Sequence, residues 1–273
     1  MALEPCCGPS CRQVARALQP VSASVQTAAE ATDAQKDVFK VGHLKAYLPG
    51  HQTDHTQVVM ARTHNFSEID VLNYVLPLLP EHSVVLDIGA NIGNHSLFFG
   101  SQGKVDRVIA FEPIECVCEI LRKNLELNDL QKKVEIKNFA LSDNDCKLGI
   151  AFFDPKHTGS TALKHAENGA VEARKLDSIV DELALDRIDF VKLDVEGSES
   201  FVLAGAKKTF EKFQPTYVVV EIHEVHPIAK LRNQFPKGDA IRNVLAEMGY
   251  ELERKFPDRQ NYLYKRVEHK EIA

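Results

Sequence analysis

The residues best suited to ligand binding follow an apolar run in the stretch VVLDIGANIGNHSLFF, residues 84–99. The pattern D-x-G-x-N-x-G places Asp87 at the end of this run, with Gly89, Asn91 and Gly93 in the turn that follows. Glycine, and to a lesser extent asparagine, tolerates a left-handed backbone, so the chain can pass close to a ligand. The carboxylate of Asp87 suits a cationic group. The turn therefore predicts a site for a positively charged ligand rather than a polyphosphate.

Two common phosphate-binding patterns are absent from the sequence. A dinucleotide-binding turn needs G-x-G-x-x-G, whereas the chain reads G-A-N-I-G-N from Gly89. The P-loop pattern, G-x-x-x-x-G-K-[ST], does not occur anywhere in the chain. These absences disfavour a nicotinamide-dependent dehydrogenase and a P-loop protein.

Glu112 is the second residue that bears on the ligand. It lies nineteen residues after Gly93, in the motif FEP at the end of the next β-rich run. At this place in an open α/β sheet, an acidic side chain accepts hydrogen bonds from both ribose hydroxyls. Together with the cation-binding turn, Glu112 predicts a ligand that carries both a nucleoside and a positive charge.

The elements that position these residues alternate between short β-rich runs and amphipathic helical runs, which indicates parallel strands joined by crossover helices. Ser67 is expected to cap the helix SEIDVLNYVLPLL. The last two β-rich runs are too close for a crossover and should pair antiparallel. The predicted fold class is α/β, a doubly wound Rossmann-like seven-stranded sheet with a final antiparallel strand and a small N-terminal hairpin. The strand runs are VVLD, RVIAFE, VEIKNFA, IDFVKLD, TYVVVEI, YELERK and NYLYKR, and SESFVLAGAKKTFEKF is expected to form one helix.

The chain is predicted to contain one folded domain. Residues 1–37 are rich in Ala, Ser, Thr, Gln and Pro without a sustained period, so we expect a flexible leader there. The domain should cover 38–273, with its core in 67–273. The hairpin is predicted from VFKVGHLKAYL and TQVVMA, within residues 38–60. The segment HTGSTALKHAENGA, before the fourth core strand, is expected to be a mobile loop able to cover a site.

Five motifs carry a resemblance to a known family. LDIGANIGNHS, FEPIE, ALSD, KLDVEGSESFVLAGA and VVVEIHE occur in this order. The ordered set resembles the FkbM family of class I methyltransferases, over about residues 60–225 in motifs. The resemblance implies that 38–273 is a methyltransferase domain and that S-adenosylmethionine is its cofactor.

The resemblance also implies a set of cofactor contacts. The turn residues would surround the methionine part, and Glu112 would hold the ribose. Phe139 stands where many class I methyltransferases have an acidic residue for adenine, so adenine recognition is expected from backbone near Ala140 or from Ser142 and Asp143. The predicted cofactor site comprises Asp87, Gly89, Ala90, Asn91, Gly93, Asn94, Glu112, Pro113, Ala140 and Ser142.

Catalysis of methyl transfer to an alcohol requires aligned reactants and a group that removes the proton. That base is expected at a strand end beside the cofactor. KLDVEGSES offers Asp194 and Glu196, and VVVEIHE offers Glu221, His223 and Glu224. Asp194 and His223 are the first choices and Glu196 the third, since Glu196 also suits the dipole of the helix that follows. The same three side chains could gather a divalent ion such as Mg²⁺, but the sequence assigns no metal ligand.

Three functions remain open on this basis. The leading prediction is S-adenosylmethionine-dependent O-methylation of a hydroxyl on a small molecule or sugar. The alternatives are a methyltransferase for protein or peptide side chains, and a catalytically inactive cofactor-binding or interaction protein. The partner expected for the leading function is a small-molecule or carbohydrate acceptor.

The composition disfavours other partners. The chain has 33 basic against 39 acidic residues and a formal net charge of −6, so it lacks the basic excess that attracts nucleic acid. No apolar run approaches the ~20 residues of a membrane-spanning helix. The 6 cysteines match neither a disulfide framework nor paired zinc knuckles. We expect no nucleic-acid or membrane partner and a cytoplasmic location, with organelle targeting left open by the mildly basic residues 11–19.

Overall fold

The computed structural model describes residues 36–154, 156–224, 238–256 and 260–267. Apart from residues 36 and 37, the leader predicted for 1–37 lies outside these ranges. Within them, no helix combines the length and the apolar character needed to cross a bilayer. The strands, β1 to β13 in chain order, span Val38–Val41, Leu44–Tyr47, Ser83–Ile88, Val105–Phe111, Val134–Lys137, Ala140–Leu141, Cys146–Phe152, Ala162–His165, Val171–Arg174, Phe190–Leu193, Tyr217–Glu221, Tyr250–Phe256 and Asn261–Arg266. The helices, α1 to α8, span His55–Thr63, Ile69–Val75, Asn94–Gly100, Glu115–Glu126, Leu176–Ile179, Glu199–Ala204, Lys207–Phe213 and Gly238–Glu247, and 3₁₀ turns cover Leu76–Leu78 and Thr158–Ser160.

The central sheet has the predicted topology. In the described part of the chain it contains seven strands in the order β12-β13-β11-β10-β3-β4-β5. Strands β3, β4, β5, β10 and β11 run parallel, and β13 pairs antiparallel with both β11 and β12. The chain moves outward from β3 to β4 and β5, and then returns to β10 on the other side of β3. The carboxyl ends of β3 and β10 therefore flank the crevice in which sheets of this kind bind ligands.

Apolar side chains on both faces hold the central strands in place. Every residue of β3 and of β10 is buried, as expected for parallel strands covered by helices on both sides. Successive residues alternate between the two core clusters, with Val85 and Phe190 on one face and Leu86 and Val191 on the other. This packing fixes the strand ends, and with them the residues that follow.

The N-terminal hairpin is present, but it is shorter than predicted. Strands β1 and β2 both come from VFKVGHLKAYL and pair across a turn at Gly42, where φ is 60°. The prediction of a second strand in TQVVMA is wrong, because that run lies in α1. The carboxylate of Asp54 accepts a hydrogen bond from the Gln57 N–H at 3.1 Å and caps the helix. The alternation of polar and apolar residues in TQVVMA therefore occurs within a helix and does not mark a strand.

The segment before β10 forms a second sheet instead of a mobile loop. Strands β6 to β9 pair in the order β6-β9-β7-β8 in the part of the chain described. The prediction for HTGSTALKHAENGA is therefore wrong, since β8 lies inside it and pairs antiparallel with β7. Ala140 and Leu141 leave the run predicted as the third core strand and pair with β9. Backbone hydrogen bonds between strands far apart in sequence stabilise this sheet, and a local pattern does not reveal them.

Two helix predictions also differ from the structure. Ser67 does not cap α2, because Glu68 occupies the N-cap position in a left-handed conformation. The Asn94 side chain instead binds the backbone N–H and C=O of Ser67, both at 2.9 Å. The run SESFVLAGAKKTFEKF forms two helices, α6 and α7, rather than one. The Asp177 carboxylate accepts hydrogen bonds from the N–H groups of Lys208 and Thr209, so α7 begins with its own cap.

Candidate active site

The turn after β3 is tightly held between the neighbouring strand ends. Gly89, Asn91 and Gly93 all have positive φ, of 78°, 49° and 94°. The N–H groups of Gly89 and Ala90 donate to the Phe111 carbonyl at 3.0 and 2.9 Å. A Cβ atom at Gly89 would lie 1.8 Å from the backbone oxygen of Asp194. Glycine is therefore required there by its conformation and by the approach of β10.

Glu112 lies beside this turn at the end of β4 and is 7% exposed. Its Oε2 accepts a hydrogen bond from the Asn91 N–H at 3.0 Å, and its Oε1 accepts one from the Ile114 N–H at 2.9 Å. Burial raises the pKa of Glu112 to about 7, and these two hydrogen bonds oppose the rise. The backbone thus fixes the Glu112 carboxyl at the position predicted for ribose binding.

A buried lysine lies behind the turn. The Lys192 ammonium is 3.5 Å from Oδ1 of Asp87 and 3.5 Å from Oδ2 of Asp194, and it donates to the Gly89 carbonyl at 2.5 Å. Burial by itself would lower the pKa of Lys192, but Asp194 and Asp87 outweigh it and hold the pKa above its ordinary value. Ser96 Oγ donates to Oδ2 of Asp87 at 2.6 Å. Asp87 and Lys192 therefore brace the turn: they form an ion pair inside the protein, and Lys192 also binds the Gly89 carbonyl.

A second group of titratable side chains lies where β10 and β11 end. Glu196, Glu221 and His223 each offer one ligand atom, all within 4.8 Å of one another. Burial, followed by repulsion from Glu221 and Asp194, raises the pKa of Glu196 well above its usual range. Such a set could hold a divalent ion or handle a proton.

The second sheet supplies one wall of the site through its 3₁₀ turn. Thr158 donates from its N–H at 2.9 Å and from Oγ1 at 3.0 Å to Oδ2 of Asp54. Thr158 Oγ1 also lies 3.1 Å from Oδ1 of Asn91. Asp54, which caps α1, thereby joins the N-terminal helix, the second sheet and the turn after β3.

Loss of the hydrogen bonds that Asp54 accepts should destabilise the protein. We expect Asp54→Ala to lower the free energy of unfolding by about 2 kcal/mol, because it removes a helix cap and the acceptor for Thr158. Thr158→Val is the matched control. It deletes the hydroxyl but keeps the backbone N–H, and should cost about half as much. Urea unfolding followed by circular dichroism measures both, and equal stability of Asp54→Ala and the native protein would contradict the role given to Asp54.

These groups surround one cavity of about 350 Å³, a size typical of small-molecule sites. His223 is not among its lining residues, and neither are five residues predicted to contact the cofactor, namely Asp87, Ala90, Gly93, Asn94 and Ser142. The predicted site residues that line the cavity are Gly89, Asn91, Glu112, Pro113, Ala140, Asp194 and Glu196.

The residues outside the lining have other partners. Asp87 lies behind the turn, and the Asn94 amide is engaged with the backbone of Ser67. Ser142 Oγ contacts Oδ1 of Asp143 at 3.1 Å, and its N–H donates to the Arg174 carbonyl. These residues shape the site rather than face its interior.

Four residues at the site lie outside the predicted catalytic and cofactor-binding sets. Thr158 lies in the segment predicted as a loop able to cover a site, and Glu221 was a candidate base ranked below Asp194 and His223. For Lys192 a signal existed, because a lysine inside the buried strand FVKL must meet buried carboxylates. Asp54 had no signal in the sequence, since its contact with Thr158 depends on the second sheet.

The strand order, the turn after β3 and the acidic residue that ends β4 define a Rossmann-like fold of the class I methyltransferase type. A sequence profile of the Methyltransferase FkbM domain matches residues 87–252. This protein belongs to the FkbM methyltransferase family.

The named relatives share less than 30% identity with this chain. The chain is 28% identical over 214 residues to the AMB antimetabolite synthetase AmbE of Pseudomonas aeruginosa, which is 64% of this chain but 10% of AmbE. It is 26% identical over 207 residues to the 2-O-methyltransferase NoeI of Sinorhizobium fredii, covering 63% of this chain and 83% of NoeI. The crystal structure of a methyltransferase FkbM from Methylobacillus flagellatus aligns with a TM-score of 0.43 and 22% identity, over 68% of this chain and 43% of that one. This chain thus spans a small part of AmbE and most of NoeI.

Proposed function

We propose that the protein is an S-adenosylmethionine-dependent O-methyltransferase that methylates a hydroxyl group of a small molecule or sugar. The observation that carries the proposal is that Gly89, Glu112 and Asp194, from three adjacent strand ends, line one cavity. The 2-O-methyltransferase activity in the name of NoeI supports the choice of a hydroxyl acceptor. Membership of the FkbM family supports methyl transfer itself.

The residues present fit this cofactor. Gly89 lines the cavity and has no side chain, and its φ of 78° suits glycine, so the backbone of the turn can lie close to a ligand. Glu112 offers a carboxyl group at the place where ribose hydroxyls are bound in such sheets. Asp87 is buried behind the turn, where its carboxylate pairs with Lys192 and accepts a hydrogen bond from Ser96, so it supports the turn that lies beside the ligand. When bound, the cofactor would supply an electrophilic methyl group on a sulfonium.

The residues of the chain have separate tasks in this reaction. Glu112 binds and orients the nucleoside through hydrogen bonds to its carboxylate. The turn after β3, braced by Lys192, positions the charged part of the ligand. Glu196 lines the same cavity, where it can contact an acceptor hydroxyl and keep it in line with the methyl group. Asp194 also lines the cavity, but its ion pair with Lys192 makes it a support of the turn. Thr158 and its neighbours form the wall that excludes water from the reacting atoms.

The first test is calorimetric titration with S-adenosylmethionine, its demethylated product and NAD. We expect the first two to bind and NAD not to bind. Glu112→Gln should weaken S-adenosylmethionine binding about 10- to 100-fold, because hydrogen bonds to a charged group are worth about 1.5–3 kcal/mol. Glu119→Gln, an exposed change on α4, is the matched control and should leave the affinity unchanged. Equal affinities for the two variants would contradict the role of Glu112.

The acceptor class is tested by radiolabelled methyl transfer. The native protein is incubated with labelled S-adenosylmethionine and a panel of sugar methyl glycosides and small alcohols, and in parallel with a protein extract. Label in the small solutes supports the proposal. Label confined to macromolecules would support a protein or peptide methyltransferase, and cofactor binding without transfer to any acceptor would support a catalytically inactive protein.

A further inference from the structure

Glu221, the last residue of β11, and Gln260 both line the cavity, whereas His223, which lies between them, does not. His223 Nε2 lies 2.9 Å from Oε2 of Glu221. In extended backbone, residues two apart point to the same side, so the end of β11 itself brings the two side chains together. A molecule in the cavity would meet the carboxyl group before the imidazole.

The imidazole is held from its other side by the strand that pairs with β11. His223 Nδ1 lies 2.9 Å from Oε1 of Gln260. The Ile222 N–H donates to the Gln260 carbonyl at 3.0 Å, and Glu221 pairs with Asn261 at the start of β13. The antiparallel register therefore fixes Gln260, Gln260 fixes the imidazole, and the imidazole fixes one carboxyl oxygen of Glu221. A carboxylate has about four lone-pair sites, so it can accept a second hydrogen-bond donor from the cavity.

We infer that Glu221 is the residue that takes the proton from the acceptor hydroxyl, and that His223 and Gln260 are positioning residues that orient its carboxyl group. The inference rests on the proposed function. It differs from the sequence prediction, which ranked Asp194 and His223 as the first choices for the base. Asp194 also lines the cavity, but its carboxylate forms an ion pair with Lys192. Asp194 therefore belongs with the groups that brace the turn.

The step is a single displacement. Glu221 takes up the hydroxyl proton while the hydroxyl oxygen forms its bond to the methyl carbon. The carbon–sulfur bond of the donor breaks, and its electron pair remains on sulfur. The carboxyl proton then passes to solvent. The sulfonium has become a neutral thioether, and the released proton carries the positive charge.

The surroundings of Glu221 suit a group that gains and loses a proton near neutral pH. Burial and the charge of Asp194 raise the pKa of Glu221 to about 8, and the hydrogen bond with His223 opposes the rise. A base works best when its pKa is close to the working pH. The titratable and charged groups that face Glu221 are Asp194, Glu196, Glu199, Lys192 and His223.

The test compares Glu221→Gln and His223→Ala with the control Glu224→Gln, an exposed residue paired with Arg242. Each is assayed in single turnover across pH, with saturating S-adenosylmethionine and the glycoside that the native protein methylates fastest. Glu221→Gln should slow transfer about 100-fold or more and leave cofactor affinity by calorimetry unchanged. His223→Ala should slow transfer less and move the rising limb of the pH profile to higher pH, because loss of its hydrogen bond raises the pKa of Glu221. Glu224→Gln should behave as the native protein does.

A measurement that needs neither cofactor nor acceptor checks the contact itself. In protein labelled with ¹⁵N-histidine, the titration midpoint of His223 should fall in Glu221→Gln, because the native carboxylate favours the imidazolium. An unchanged midpoint would overturn the pairing. Full transfer by Glu221→Gln in a protein that still binds S-adenosylmethionine would overturn this inference alone, whereas failure of the native protein to bind the cofactor would overturn the proposed function as well.

Dependence of methyl transfer on a divalent ion would lead to a different conclusion. Loss of transfer in EDTA, restored by Mg²⁺ or Mn²⁺, together with equal losses in both variants, would make Glu196, Glu221 and His223 ligands of an ion. That outcome would also overturn the assignment of Glu221 as the base.

Discussion

Lys192→Met is expected to lower the free energy of unfolding by about 3–5 kcal/mol, the loss that follows when one partner of a buried ion pair is removed. The Lys192 side chain is 6% exposed, and its ammonium lies between Asp87, which is fully buried, and Asp194. Methionine keeps the volume of the side chain but leaves the Asp87 and Asp194 carboxylates without their common cation. The hydrogen bond to the Gly89 carbonyl is also lost, so the turn after β3 loses its internal support.

The matched control is Lys207→Met. Lys207 forms an ion pair with Glu247 at 3.5 Å, but the two side chains are 54% and 66% exposed, so the change should cost at most about 1 kcal/mol. The chain contains no tryptophan, so urea unfolding is best followed by far-ultraviolet circular dichroism. Adding Asp87→Asn to Lys192→Met should recover part of the lost stability. Similar losses for Lys192→Met and Lys207→Met would show that the buried cation has no special role.

Gly89→Ala is expected to weaken cofactor binding strongly. Alanine at a φ of 78° is strained by about 1–2 kcal/mol. Its Cβ would in addition lie 1.8 Å from the backbone oxygen of Asp194, an atom that cannot move without displacing β10. The turn and the end of β10 must separate, and Asn91, Glu112 and Asp194 would no longer face the same cavity in the native arrangement. We expect S-adenosylmethionine affinity to fall at least about 100-fold, which corresponds to about 2.7 kcal/mol.

Gly103→Ala is the control for this change, because a Cβ at Gly103 would meet nothing within 4 Å and should be tolerated. Gly93→Ala is an intermediate case, since its Cβ would meet Leu121 Cδ1 at 2.3 Å, the end of a flexible side chain. Calorimetry with S-adenosylmethionine gives the affinity, and circular dichroism shows whether each variant is folded. A folded Gly89→Ala protein that binds the cofactor as tightly as Gly103→Ala would contradict the requirement for glycine.

Local sequence patterns were sufficient to predict the strands of the central sheet. Runs such as VVLD and TYVVVEI are apolar and short, and both are fully or almost fully buried strands of a parallel sheet. The wrong predictions arose where one local sequence pattern is compatible with two kinds of secondary structure. TQVVMA alternates like a strand but lies in a helix capped by Asp54, and HTGSTALKHAENGA looks like a loop but contains a strand. Helix caps and strand partners far away in the sequence decide such cases.

The sequence by itself determined the turn after β3 and the position of Glu112, because these depend on residue type and on spacing along a single βα unit. It also indicated a doubly wound sheet with a final antiparallel strand, whereas the strand order comes from the structure. Only the tertiary structure decided which side chains face the cavity. Thr158 reaches the turn because the second sheet forms. Glu221 lines the cavity and His223 does not, because β13 pairs with β11 in a register that holds the imidazole between Glu221 and Gln260. Contacts of this kind join residues that the chain separates widely, so they are set by packing and hydrogen-bond register, which local sequence patterns do not encode.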